Sequence, residues 1–379
     1  MRIALLGAVL LTLVACDTLR LLTDLPKDRN VLFWTQNQLP VAAEAFMTRQ
    51  RAAGLVVVHG NRLRLERYAM DFTAEGRWTS FSVAKSLTST LVGAALKDGS
   101  IKSLDDPVTR YISGLRGSVY DAVTVRQLLT MTSGVRWNED YTDPKSDVAQ
   151  FQLQKPVANE DVTVSYMKRL TREAAPGTKW VYKTGETNLI GVLVASATGR
   201  TLGDYLSDKI WKPYGMERNA YWVLGESGDE IAGCCLAAST RDFARFGQFV
   251  LDGGKGVVPD DWFAQATVRR AGTDVPGQGY GYQWWTYDDG SFAARGIFGQ
   301  GIFIDPKRKL IIASNSNWPQ ATDAQGGDHE FRPRGPQRGH LGRREQGKEL
   351  GAVHQARCLV GRGDEPLSVV APGLPRAVR

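Results

Sequence analysis

The chain has 379 residues, of which 42% are apolar, with 10 Trp and a formal net charge of +7. That length and apolar content supply a core for two or three units or for one large two-lobed domain, and they exclude a mainly disordered chain. The excess charge is spread without any Lys/Arg run interleaved with aromatics, which argues against nucleic-acid binding.

In chain order, Arg2 precedes an apolar run from Ile3 to Ala15. The run is shorter than the roughly 20 residues that a membrane-spanning helix needs, so it reads as a secretory signal. It ends Leu13-Val14-Ala15-Cys16, which resembles the lipobox of bacterial lipoproteins. That resemblance implies a signal over 1–15, lipidation of Cys16, a linker over 16–29 and a membrane-anchored lipoprotein facing the periplasm of a bacterial cell envelope. The plainer alternative is a cleaved signal that happens to contain Cys16.

A helix is expected over Ala42 to Arg51. Leu55 to His59 and Arg62 to Tyr68, joined by Gly60-Asn61, read as a β-hairpin, because the turn pair tolerates positive φ and Arg62 to Glu66 alternates polar with apolar. From Ser82 to Leu96 the apolar positions Val83, Leu87, Leu91 and Val92 recur at helical spacing. Helices and loops then alternate to Asp252, and Cys234-Cys235 falls among them. Adjacent cysteines rarely bond each other, so both are expected as small buried residues. No CxxC or His/Cys ligand spacing is present, and no metal is expected. Strands return at Tyr280 to Tyr287, Phe292 to Ile297, Ile302 to Ile304 and Leu310 to Asn315. Strands at both ends with helices between them predict an α+β domain over 30–320. Its antiparallel sheet would come from about 30–80 and 270–320, with a helical lobe inserted over 81–269. The segment 321–379 is rich in Gly, Arg, Gln and Pro, holds three of the four His, and has the composition of a disordered tail.

The chemistry follows by elimination. A Ser-His-Asp system lacks its His, since before the tail there is only His59, at a predicted hairpin tip. No G-x-S-x-G elbow is present. A Ser-Lys arrangement remains, and S-x-x-K places both residues one helical turn apart, where a buried Lys can take the hydroxyl proton. Two segments match: Ser82-Val83-Ala84-Lys85 and Ser165-Tyr166-Met167-Lys168. The second lies beside Arg169 and Arg172 and reads as a solvated helix face; the first opens a helix with a buried pattern.

Thr79-Ser80-Phe81-Ser82-Val83-Ala84-Lys85-Ser86 resembles the first motif of class C β-lactamases and related esterases. Leu104 to Val108, Thr124 to Gly134, Pro176-Gly177-Thr178 and Tyr182 to Asn188 extend the resemblance, which also includes nylon-oligomer hydrolases and runs from about 30 to 318. It implies a β-lactamase/transpeptidase-like fold and an acyl-enzyme on Ser82, with Lys85 and Tyr182 as general bases and no cofactor. The oxyanion hole would be the N–H groups of Ser82 and Ile297, worth about 2.7–4 kcal/mol each. The substrate is expected to be a small ester or amide.

Two departures bear on substrate. Thr184 stands where the family has Asn, and Ala294-Arg295-Gly296 is the best match to a third motif that begins with Lys or His in the family. Without that cation a β-lactam or D-Ala carboxylate loses its anchor unless Arg295 turns inward. An esterase or amidase is therefore favoured over a β-lactamase or DD-peptidase, and a catalytically inactive envelope binding lipoprotein is the third reading. Trp137, Tyr141, Trp284 and Trp285 are candidates for either core or acyl pocket. The tail offers no apolar stripe for the family's long C-terminal helix, which points to a reading-frame change near Ala321.

Overall fold

A computed structural model describes residues 38–155, 157, 160–322 and 376–378. The signal run, Cys16, the linker and most of the tail lie outside the described residues.

The first element is helix α1 (Gln38–Gln50), followed by the hairpin β1 (Ala52–His59) and β2 (Arg62–Tyr68). Gly60 and Asn61 turn the hairpin at φ of 58° and 61°, and exposed His59 sits at that tip. A two-residue strand β3 (Trp78–Thr79) leads into helix α2 (Ala84–Lys97), and helix α3 (Thr184–Thr198) packs on α2. Strands β4 (Ala220–Trp222) and β5 (Leu236–Ala238) precede helix α4 (Thr240–Leu251). Six further strands follow: β6 (Ala271–Gly272), β7 (Gln278–Tyr280), β8 (Trp285–Tyr287), β9 (Phe292–Gly296), β10 (Gln300–Asp305) and β11 (Leu310–Ser316). Strand β12 (Arg376–Val378) closes the described chain.

The large sheet is antiparallel throughout and runs β2-β1-β11-β10-β9-β8-β7-β6, so the N-terminal hairpin and the C-terminal strands meet at the β1–β11 pair. This is the expected α+β arrangement. Helix α4 packs on β1, β10 and β11 with Phe246 and Phe249 fully buried. A second, small sheet, ordered β12-β4-β5-β3, was not anticipated. Its strands span only two or three residues, too few for an alternating pattern to register.

Two expectations are corrected. The strand expected over Tyr280 to Tyr287 is divided, because Tyr282 and Trp284 turn into the core, both at 0% exposure. Gln283 is held between them at φ 63°, with its side-chain amide donating to the carbonyls of Leu128 and Leu129. Ser165 is not on a solvated face: it is 4% exposed and accepts a hydrogen bond from Gln154. The basic residues that suggested solvent lie beyond the short helix Val162–Met167, where Lys168 pairs with Glu160.

Helix α2 is buried from Ala84 to Ala95, although it carries four hydroxyl residues. Each is satisfied: Ser86 donates to the Gln283 carbonyl (2.7 Å), Thr88 to Ala232 (2.9 Å), Ser89 to Tyr282 (2.7 Å) and Thr90 to Ser86 (2.8 Å). Three of these bonds tether the helix to neighbouring segments, so polar residues on a buried face act as fasteners. Gly93 on the same helix lets Trp262 approach; a Cβ there would lie 2.6 Å from the indole ring. Ala would gain about 1 kcal/mol of helix propensity but overpack the site by about 1–3 kcal/mol. Gly93→Ala is therefore expected to lower the thermal midpoint, and calorimetry checks it.

Candidate active site

Ser82 lies in the single turn Phe81–Val83 that leads directly into α2. Phe81 there has φ 43°, a conformation rare for a bulky residue and of the kind found where function holds the backbone. Phe298, at φ 62°, brings its ring to 5.1 Å from that of Phe81 across the mouth of the site. Ser82 is 8% exposed and Lys85 1%, one turn further along.

The Lys85 ammonium has three acceptors: the Gly233 carbonyl at 2.6 Å, Thr184 Oγ1 at 3.1 Å and Ser82 Oγ at 3.2 Å. Burial lowers its pKa from 10.5 to about 8, against an opposing pull from the Glu139 carboxylate. The Ser82 hydroxyl acts on Tyr182 to lower its pKa, and the Tyr182 ring lies 5.2 Å from Lys85 Nζ. Desolvation first, and the Glu139 charge second, hold the Tyr182 hydroxyl above its usual range, so it stays protonated near neutral pH. Its ring stacks on Trp285 at 5.5 Å and meets Trp180 and Tyr280 edge-on or tilted. Ser82, Lys85 and Tyr182 are thus brought together.

The other named residues divide. Thr184 lines the cavity beside Ser82 and touches Lys85. Ile297 also lines it, from the turn that follows β9. Gly296 sits against the nucleophile's turn, where a Cβ would fall 2.5 Å from the Ser80 carbonyl, so it sets the approach of β9. Ala294 is 1% exposed, and the Arg295 guanidinium lies 5.3 Å over the Trp285 ring, near enough for its charge to act on Tyr182. Of the four aromatics, Trp284 is core, Tyr141 lines the cavity, Trp285 supports Tyr182 and Trp137 holds a carboxylate.

That carboxylate, Glu139, was missed by sequence reasoning. It accepts from the Thr184 backbone N–H (2.9 Å), the Tyr141 hydroxyl (2.7 Å), the Thr184 hydroxyl and the Trp137 indole N–H. Through Thr184 it adjoins Lys85. The signal lies in the segment Trp137-Asn138-Glu139-Asp140-Tyr141, where an acid stands between two aromatics. Glu139→Gln removes a charge that favours protonated Lys85, so the acidic limb of the kcat/KM profile should move to lower pH; an unmoved limb would exclude the coupling.

A second missed feature corrects the cysteine expectation. Cys234 and Cys235 form a disulfide. Their Cα atoms are 3.7 Å apart, closer than in ordinary disulfides, and Cys235 adopts φ 70°. The expectation rested on normal backbone between neighbours, and this turn departs from it. Both cysteines line a cavity of about 750 Å³ that opens at Ser82. Its wall is mainly apolar, with Val148, Phe151, Val192 and Ile231, and carries Asp161, Glu226, Asp229 and Glu230 together with Arg200.

The family model described as beta-lactamase matches residues 42–332. The chain belongs to the beta-lactamase family. It is a serine hydrolase acting on amide or ester bonds. It is 31% identical over 285 residues to a 6-aminohexanoate-dimer hydrolase of Paenarthrobacter ureafaciens, covering 70% of this chain and 72% of that protein. A beta-lactamase of Yersinia enterocolitica is 24% identical over 282 residues, 65% of this chain and 67% of that one. Among solved structures, a Bacillus anthracis protein assigned as a 6-aminohexanoate-dimer hydrolase superposes with TM-score 0.65 at 28% identity, over 72% of this chain and 75% of that chain. A D-stereospecific amidohydrolase from a Streptomyces species shares the fold at TM-score 0.61 and 20% identity, over 75% and 96% of the two chains.

Proposed function

We propose that Ser82 attacks an uncharged ester or a linear amide, that Lys85 removes its proton and that Tyr182 relays the proton to the leaving group. The observation that carries this reading is the contact of Lys85 Nζ with Ser82 Oγ at 3.2 Å in a site that brings the lysine pKa to about 8. A neutral amine keeps two N–H donors and one lone pair. The Gly233 carbonyl and Thr184 Oγ1 take the donors, and the lone pair is left for the Ser82 hydroxyl proton. As Ser82 Oγ bonds the carbonyl carbon, the developing oxyanion is served by the N–H groups of Ser82 and Ile297. The first stands at a helix start, where backbone donors have no intrahelical partner. Tyr182 then gives its hydroxyl proton to the departing nitrogen or oxygen and takes the one that Lys85 holds. Water reverses the sequence on the acyl-enzyme, releasing the acid and restoring Ser82.

The substrate reading rests on the cavity. Its mainly apolar wall suits an aliphatic acyl chain, and its acidic residues suit the ammonium that ends the acyl half of a linear aminohexanoate amide. Thr184 is engaged by Glu139 and Lys85, buried Ala294 supplies no cation, and the neighbouring Arg295 is stacked over the Trp285 ring. The similarity to a 6-aminohexanoate-dimer hydrolase supports a linear amide of that kind. Turnover of the 6-aminohexanoate linear dimer and of short-chain p-nitrophenyl esters, with little on a chromogenic cephalosporin, is the expected pattern. Preference for the cephalosporin would overturn it.

A further inference from the structure

We propose that the Cys234–Cys235 disulfide is a positioning element of the active site: it fixes the Gly233 carbonyl on Lys85 and walls the cavity beside Ser82. The inference rests on the Ser82–Lys85 reading above and extends it to a part of the chain that has no catalytic side chain.

The three residues Gly233, Cys234 and Cys235 form one tightly held turn. The Gly233 N–H donates to Asn188 Oδ1 at 2.8 Å, while its carbonyl accepts from Lys85 at 2.6 Å, the shortest of the three lysine contacts. The Cys234 N–H donates to the Ile231 carbonyl (3.2 Å), and the Cys234 carbonyl accepts from the Trp222 indole (3.1 Å). The Cys235 carbonyl accepts from the Val223 N–H (3.0 Å), which ties the turn to the small sheet. Of these anchors Trp222 is at 0% exposure and Asn188 at 4%, while Ile231 and Val223 are half-buried.

Bonding two neighbouring side chains closes a small ring through the peptide that joins them. That ring removes the independent rotation of both side chains and fixes the left-handed conformation of Cys235, which an ordinary L-residue avoids. Opening the bond relieves the constraint one residue from the carbonyl that orients the lysine. It also replaces an apolar disulfide wall with two thiols that are free to rotate into the cavity. A lysine that loses a fixed acceptor no longer presents its lone pair to Ser82, so the rate of acyl-enzyme formation falls while the rest of the substrate cavity is kept.

The bond is open to a dithiol reductant. A reductant thiolate attacks one cysteine sulfur, the S–S bond breaks and a mixed disulfide forms. The reductant's second thiol then displaces the protein thiol and leaves as a cyclic disulfide. Two electrons and two protons pass to the protein, which ends with two thiols.

The test uses the full chain purified without reductant. Alkylation before and after reduction, followed by peptide mass analysis, reports the state of Cys234 and Cys235 directly. Ester turnover and the rate of fluorophosphonate labelling are then measured in the oxidised, dithiol-reduced and reoxidised enzyme. Circular dichroism confirms that each form is folded. The expected result is a bonded pair whose reduction lowers kcat by about tenfold, the equivalent of one hydrogen bond to a charged group, with KM changed less than about twofold. Reoxidation restores the rate, and Cys234→Ala/Cys235→Ala is slow from the start and indifferent to the dithiol. Two free thiols in the oxidised enzyme would overturn the proposal. So would a kcat that ignores reduction, or a double variant that responds to the dithiol as the parent does. Absence of labelling in the oxidised parent would instead overturn the Ser82 reading on which it rests.

Discussion

Lys85→Met is expected to lower kcat/KM by about 10²–10⁴-fold, the range that a positioned general base contributes. The loss should be accompanied by loss of the pH dependence that Lys85 sets. In the parent, kcat/KM should rise with pH to a plateau above about 8, as the lysine gives up its proton. The variant should keep its fold, and the magnitudes say why. Lys85 binds its proton less tightly in the folded chain than in the unfolded one, so between about 8 and 10.5 the unfolded state holds more protons and stability rises with pH. Below that window the burial of a charged lysine is a full cost, about 3 kcal/mol at roughly 1.4 kcal/mol per unit of pKa. Met removes it but leaves the Gly233 carbonyl and Thr184 without their donor, at about 1–3 kcal/mol. The two nearly cancel at neutral pH. A rate loss without a matching fall in thermal midpoint is therefore expected; a variant that loses both together would place Lys85 among the structural residues.

Tyr182→Phe is the second large effect, and it should depend on the leaving group. Phe keeps the stack on Trp285 and the contacts with Trp180 and Tyr280, so the pocket is retained. What is lost is one hydroxyl, held above its usual pKa by burial and by the Glu139 charge. An amine leaving group must be protonated as the C–N bond breaks, whereas p-nitrophenolate departs as the anion. Amide hydrolysis should fall by about 10²–10⁴-fold and p-nitrophenyl ester hydrolysis by much less. Equal losses on both substrates would show that Tyr182 acts on the attacking serine alone.

The parts legible in the sequence are those with local periodicity or short-range spacing. The hairpin declared itself through Gly60-Asn61 and the alternation after it, and the catalytic helix through Leu87, Leu91 and Val92. The Ser82–Lys85 pair is one helical turn, so its spacing is visible in four letters. Tyr182 needed the family resemblance, because nothing local ties it to a residue so far back in the chain. Glu139 and Gly233 were invisible for the same reason: their roles exist only once loops from different elements converge on Thr184 and Lys85. Gly233 acts through its carbonyl, which every residue possesses. The Cys234–Cys235 bond was misjudged because a rule for ordinary backbone was applied to a turn with a left-handed residue. Ser165-Tyr166-Met167-Lys168 matched the same motif and was set aside on a surface argument that proved wrong for Ser165, although the match itself leads nowhere: its hydroxyl is engaged by Gln154.

The most direct test of the account is intact-protein mass after exposure to a fluorophosphonate, with Ser82→Ala in parallel and ester turnover measured on both. One adduct on the parent, none on the variant and turnover lost with it is the predicted result. An adduct that persists on Ser82→Ala, or a folded parent that takes none, would contradict it.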